Sequence, residues 1–274
     1  MRFFLLSLVI FLPRLAALSA PGKPPINNSS ATRRKPVVFI VTAYGETEEV
    51  IKAWNQRLGK SYDIVSDAPL SETLSQVEKT KIGARAWMSP SFSEIKKEPF
   101  RQPENLEWVF YDFERWEHTP KAERADVVET SRALRNYSLK RKWKTCFIPI
   151  YRDALPLAPR LAPYYDAYIV QCQKYQTDET RAQTVAYLRA VEREIHKRNP
   201  TCLVGCQLGS LDKYGNGAPF GGVESALSLY LETKDFLDIY SIWWAPDAER
   251  MIALLDKMEQ SHTESKPQNN PMKE

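Results

Sequence analysis

The chain has 274 residues, 43% of them hydrophobic and 11% aromatic, and a net charge of +4. That length and composition allow one large domain or two small ones with a sizeable core. Lys and Arg are scattered rather than gathered into a basic stripe, which excludes a nucleic-acid partner, and three histidines (His118, His196, His262) are too few and too scattered for a histidine-rich metal centre.

The first residues read as an export signal: Arg2 is the positive start, Phe3 to Leu12 the apolar segment, and the small residues Ala16, Ala17, Ser19 and Ala20 follow, with cleavage expected after Ala17 or Ser19 because Pro21 hinders a cut after Ala20. The apolar run is too short to span a bilayer comfortably. A secreted or periplasmic protein without stable membrane association after cleavage is therefore expected, with the signal in 1–20 and a polar, Pro-rich lead-in over 21–35. Asn27, Asn28 and Asn136 each begin an Asn-x-Ser pattern.

From residue 36 to 260 short apolar runs alternate with amphipathic stretches. The strand candidates are 37–42, 62–65, 82–88, 107–112, 145–150, 167–172, 202–207 and 237–243. Between them Val50, Ile51, Trp54 and Leu58 make one helical stripe, and Leu74 and Val77 mark a short second helix. Ser89 to Pro103 holds three prolines, so the third helix is short or absent. Thr119 is placed to cap the next helix with Pro120 at its first position. The region 156–163 predicts only a brief helix, Ala182, Val185, Leu188, Val191 and Ile195 predict a long one, and Pro246 opens a last one with Met251, Leu254, Leu255 and Met258 facing inward. Residues 261–274 are polar and read as a disordered tail. Eight strand–helix units in this length predict an α/β fold, a single-domain (β/α)8 TIM barrel. A doubly wound open sheet is the alternative, but Thr42-Ala-Tyr-Gly-Glu supplies no glycine-rich phosphate turn after the first strand. Cys146, Cys172, Cys202 and Cys206 fall in or beside strands without zinc spacing and read as buried thiols, with a disulfide permitted by export.

Barrels of this type carry their sites at the C-terminal strand ends. The fourth strand ends in Tyr111-Asp112-Phe113-Glu114, and alternation puts both carboxylates on one face. Two acids there are costly as packing and are the candidate catalytic pair; the competing explanation is a structural network with Arg85, Arg115 or Arg152. The other ends supply Tyr44, Asp67, Trp87, Trp116, Tyr151, Gln171, Gln173, Tyr175, Gln207, Trp243 and Trp244. Rings stack on the apolar faces of sugars while amides and carboxylates bind hydroxyls, so Tyr44, Trp87, Trp116, Tyr151, Gln171, Gln173, Tyr175, Gln207 and Trp243 are candidate carbohydrate contacts. Arg152-Asp153 reads as a loop ion pair. No cofactor is expected; a carboxylate-bound Mg2+ or Ca2+ at Asp112, Glu114 and Asp153 is the one metal site the sequence could build.

The Asp112-x-Glu114 motif on a fourth strand resembles family 18 glycoside hydrolases, the chitinase and endo-N-acetylglucosaminidase group, and is similar to the Asp-x-Glu of family 25 lysozymes. Tyr175 and Trp243 are loosely similar to family 18 substrate-holding residues. The longer pattern Tyr111-Asp-x-Glu-x-Trp-x-x-Thr-Pro-x-x-Glu123 resembles uncharacterised secreted barrel proteins. The family 18 resemblance implies that Glu114 is the general acid and that Asp112 orients a substrate acetamido group acting as nucleophile. The chain departs from the longer Asp-x-x-Asp-x-Asp-x-Glu series, with Trp108, Val109, Phe110 and Tyr111 before Asp112, and its seventh strand ends in Gln207 rather than a carboxylate. The expected function is a glycosidase-like barrel acting on a polysaccharide or glycan. A non-catalytic barrel binding carbohydrate or a partner protein is the alternative. A third reading, phosphate handling, would use Gly221-Gly222 at a helix start.

Overall fold

The computed structural model describes residues 37–41, 63–69, 84–97, 106–114, 118–213, 217, 219–243 and 248–264. Two units divide the chain, Met1–Arg33 and Arg34–Glu274, and the strands and helices belong to the second. The expected export signal and lead-in, and the stripes of the first two predicted helices, lie outside the described residues. The strands are β1 (Val37–Val41), β2 (Asp63–Pro69), β3 (Ala84–Ser89), β4 (Leu106–Phe113), β5 (Lys144–Pro149), β6 (Ala167–Gln171), β7 (Leu203–Gly209) and β8 (Ile239–Trp243). The helices are α1 (Phe92–Lys96), α2 (Lys121–Ala125), α3 (Val127–Leu139), α4 (Tyr151–Leu161), α5 (Asp178–His196), α6 (Gly222–Thr233) and α7 (Ala248–Glu264). No described helix is long and apolar enough to cross a membrane.

Six strands, β3 to β8, form a parallel half-barrel with helices alternating between them. The ladder continues from β3 to β2 and β1, and β8 is bonded to β1 from Val37↔Ile239 to Ile40↔Ile242. Parallel strands need crossovers, and those crossovers cover the outer face of the sheet. The core accordingly has two layers. Ala86, Trp108, Phe110, Cys146, Ile148, Ala167, Ile169 and Ile239 pack together on the inner face. Val109, Tyr111, Phe113, Phe147, Tyr168, Val170, Val204 and Leu208 pack outward with helix residues such as Leu134, Leu188, Val191, Leu229 and Leu254. The alternation in β4 divides its residues between the two. All four cysteines are buried free thiols, Cys146 inside and the other three in the outer layer.

At Gly205 the inner face admits no side chain. A Cβ there would lie 2.1 Å from the Ile239 carbonyl oxygen and 2.8 Å from the Ile239 Cβ, so the missing methyl sets how closely β7 approaches β8.

Helix α1 is five residues long, short as the prolines of that stretch predict. Several other helices differ from their sequence expectations. Thr119 does not cap the helix after β4. Pro120 holds the N-cap position and makes no side-chain cap bond, while the Thr119 hydroxyl donates to the Pro90 carbonyl at 2.8 Å. That helix is also divided, because Asp126 leaves the helical backbone (φ −133) and its carboxylate caps α3 through Glu129 N. The brief helix expected at 156–163 is instead the eleven-residue α4, with Pro156 and Pro159 inside it. The amide of Leu155 in this helix is satisfied by the Tyr187 hydroxyl at 2.9 Å. The buried seam of α5 is Thr184, Leu188, Val191 and Ile195; Ala182 is exposed. Helix α7 begins at Ala248 and continues through Glu264, into the stretch read as a tail, with Leu254, Leu255 and Met258 buried.

Glu123 ties the β4 side of the rim to the β3 side. Its carboxylate accepts from Phe92 N and Ser93 N, both at 2.9 Å, and from the Tyr111 hydroxyl at 3.1 Å. One acid therefore caps α1 and fixes the outward ring of β4. Replacing Glu123 by Ala leaves three donors without their acceptor, and a loss of about 2–4 kcal/mol in chemical denaturation is expected. Tyr111→Phe, which removes one of the three bonds, is expected to cost about 1 kcal/mol in the same measurement.

Candidate functional site

Above the apolar inner layer the inward faces turn polar. The β4 alternation that buries Trp108 and Phe110 continues to Asp112 and then Glu114, both half-buried. Asp112 lies beside Ile148 of β5. Across the interior, β6 presents Gln171, whose Nε2 donates to Asp112 Oδ1 at 2.9 Å and to Glu114 Oε1 at 3.3 Å. The two acceptor oxygens therefore lie at most 6.2 Å apart, 2.9 plus 3.3. An ionised carboxylate only accepts, so the amide turns its nitrogen toward the acids.

A second polar line runs alongside. Gln173 Nε2 donates to Gln207 Oε1, and Gln207 Nε2 donates to Ser241 Oγ at 3.3 Å. Ser241, from β8, was not a candidate in the sequence. Its signal was available: it stands two residues before Trp243, a spacing that alternation predicts for one face.

The acids have no ion-pair partner among the described residues. Arg152, on the exposed side of α4, does not reach them, while Arg115 and the side chain of Arg85 lie outside the described residues. Burial raises Asp112 first, and the neighbouring Glu114 charge raises it further, to about 8. Glu114 is also raised by burial; the Gln171 hydrogen bond and the charges of Lys174 and His118 hold it back. Two acids so close share their protons as a pair. With Asp112 pushed up to about 8, the pair keeps a proton near neutral pH, which gives the site a proton donor. Lys174 and His118 were missed as members of this electrostatic group, because no spacing rule points either of them at Glu114.

Tyr151 and Tyr175 stand together at the rim, with ring centroids 4.1 Å apart, and Tyr187 stacks on the other side of Tyr151 at 4.3 Å. Both faces of Tyr151 are thus covered, whereas Tyr175 makes one ring contact among the described residues and is 37% exposed. Trp87 is not in this group. It is buried in the outer layer with its ring 6.3 Å from that of Trp143, because its β3 position faces the helices. Tyr44, Trp116 and the side chain of Trp243 lie outside the described residues. Arg152 and Asp153 are not a loop pair; they occupy the first turn of α4, with Asp153 buried and Arg152 exposed. Among the described residues Asp112, Glu114 and Asp153 do not gather into a set that could hold a metal ion.

The glycine pair at the start of α6 does not form an open anion cradle. Gly221 N is bonded to the Asp212 carbonyl and Gly222 N to the Leu211 carbonyl, at 3.2 and 2.9 Å. The Asp212 carboxylate, paired with Arg250 at 2.6 Å, lies 2.5 Å from where a Gly222 Cβ would stand. The donors that would hold a phosphate are used internally, and a carboxylate occupies the approach.

No protein-family model matches the chain, and no curated protein matches it. Solved structures do. A mutant tryptophan synthase α-subunit from Pyrococcus furiosus is 13% identical over 82% of this chain and 96% of its own, with a TM-score of 0.51. Hydroxymethylglutaryl-CoA lyase from Pseudomonas aeruginosa is 10% identical over 76% and 75%, with a TM-score of 0.49. A glycoside hydrolase family 17 β-1,3-glucanosyltransferase from Rhizomucor miehei is 8% identical over 75% and 85%, with a TM-score of 0.47. At these identities the likeness is one of fold, TIM-barrel-like, and of the three the synthase subunit carries that comparison.

The raised Asp112 has a consequence for stability. The folded chain holds this proton up to about pH 8, whereas an unfolded chain releases it near the ordinary aspartate value of 3.8. Between those limits the folded state binds more protons, so its stability falls as pH rises, and the penalty is complete above about 8. Asp112→Asn removes the titrating group. It is expected to raise the thermal midpoint by roughly 4 °C at pH 8, about 1–2 kcal/mol, and to leave it nearly unchanged at pH 4. Calorimetric scans across this range check the difference.

Proposed function

We propose that the chain is a secreted, single-domain (β/α)8 TIM barrel that hydrolyses glycosidic bonds in a polysaccharide or glycan, with Glu114 as general acid and Asp112 assisting. The observation that carries this reading is the pair of inward acids at a strand end, bridged by an amide and without an ion-pair partner among the described residues. Closure into eight units is supported by the backbone ladder from β8 to β1. Export is supported by the character of the first twenty residues.

The amide of Gln171 lies between the two carboxylates, so they do not face each other across open space. A sugar cannot be clasped between them as it is between the acid and nucleophile of an ordinary retaining pair. The reading that fits is the one the family 18 resemblance implies: Glu114 protonates the leaving oxygen, Asp112 orients the substrate's acetamido group, and that group attacks the anomeric carbon. Burial keeps a proton on the acid pair near neutral pH, as a general acid requires. Tyr175, stacked on Tyr151 and 37% exposed, is the described ring best placed to stack on a sugar. The amide line of Gln173 and Gln207 would meet hydroxyls, chiefly through Gln173, because Gln207 already uses both ends of its amide.

A second reading, a barrel that binds carbohydrate without turnover, is favoured by one observation: the inward position near the end of β7 is Gln207, bonded to Gln173 and Ser241. Glu114→Gln separates the two. Under the hydrolase reading, turnover of N-acetylhexosamine oligomers by the mature chain falls 10²–10⁴-fold while the thermal midpoint does not fall. Titration calorimetry that detects oligomer binding by a native chain with no turnover supports the second reading. The anomer released first, followed by proton NMR, is expected to retain the substrate's configuration.

A further inference from the structure

We infer that Gln171 is a positioning residue that joins Asp112 and Glu114 into a single acid unit, rather than an amide that donates to substrate. Its side-chain nitrogen carries two hydrogens, and the two carboxylates take one each, at 2.9 and 3.3 Å. No donor remains for a sugar hydroxyl, and only the carbonyl oxygen is left over. The backbone beneath it is held on both sides: Gln171 pairs with Gln207 of β7, and a further parallel bridge joins it to Ile150 at the end of β5. A long side chain on so fixed a base reaches across the interior to β4 with little freedom. The acids are two residues apart on one strand and repel each other when both are charged. A shared donor draws charge from both and sets how a single proton is divided between them.

The surroundings leave this task to Gln171. Among the residues whose side chains are described, the inward neighbours Met88, Ile148, Gln207 and Ser241 carry no titrating group, and Asp67 of β2 is in register with the inward Ala86. Lys174 and His118 act on Glu114 through their charges, and no described cation makes an ion pair with either acid. Hydrogen bonds from Gln171 favour the charged form of each carboxylate, so their removal acts on both acids in the same direction.

The inference rests on reading the two acids as one functional unit, but its test needs no substrate. In the native chain, carbon NMR of the side-chain carboxyls follows Asp112 and Glu114 through a pH titration, while nitrogen-edited spectra follow the two Gln171 amide protons. Both amide protons are expected to shift with the midpoints of the carboxyls. In Gln171→Met the carboxyl midpoints are expected to rise by about one pH unit, with the circular dichroism spectrum retained. Carboxyl midpoints that stay where they were in a folded Gln171→Met chain overturn the inference. So do native amide protons that ignore the titration, a result that decides the matter even if the variant does not fold. A native chain that shows the coupled titration but cleaves no oligosaccharide would end the hydrolase reading and leave the role of Gln171 standing.

Discussion

The arrangement depends on one constraint: a strand shows successive side chains to opposite sides, and here both sides are buried. In β4 the odd-numbered residues Val109, Tyr111 and Phe113 must satisfy the helices, and the even-numbered Trp108 and Phe110 must fill the interior. A slip of one residue would exchange the two sets and place Asp112 and Glu114 among the helices. The outer set is further secured because the Tyr111 hydroxyl reaches Glu123, which also holds the start of α1. The same register that packs the outer core thus delivers the acids to the interior. Packing and chemistry on this strand cannot be altered independently.

The polar layer follows from the same alternation on three other strands, β6, β7 and β8, and their ends. Gln171, Gln207 and Ser241 occupy inward positions above the apolar floor, and each finds its partner on a neighbouring or facing strand. This is what buried amides require, since an unpaired donor or acceptor there costs about 1–3 kcal/mol. What distinguishes the Asp112–Glu114 side from the Gln173–Gln207–Ser241 side is charge. Neutral amides can satisfy one another fully, whereas two acids can be stabilised only partly by one neutral amide. The remaining stress is relieved by keeping a proton.

Much of this was legible in the residues. Every described strand falls within a few residues of an apolar run read from the sequence, because parallel strands covered on both faces are continuous apolar segments bounded by polar turns. The pair Asp112 and Glu114 was equally plain, since two charges breaking an apolar run are hard to explain as packing. Helix ends were less legible. Thr119 has the chemistry of a cap but bonds to Pro90 across the rim, and Asp126 breaks a helix whose pattern looked continuous. The first outcome depends on a partner distant in sequence, whereas Asp126 finds its own three residues on, at Glu129 N. Pro156 and Pro159 argued against α4, yet the helix forms beside Tyr187, whose hydroxyl takes the Leu155 amide. Trp87 shows the opposite failure: an aromatic ring near a strand end was counted toward the site, but its place in the alternation commits it to the outer layer. No sequence spacing could have shown that Gln171 would bridge both acids.

The tyrosine row at the rim has a direction. Tyr187 is rooted in α5 and Tyr151 in α4, while Tyr175 follows β6. The middle ring, Tyr151, is covered on both faces, and Tyr175, 37% exposed, is the end at which the pile can lengthen. A flat guest arriving there would become the fourth plate of a stack whose tilt is already set by two helices and a strand. It would be oriented before any polar group touched it.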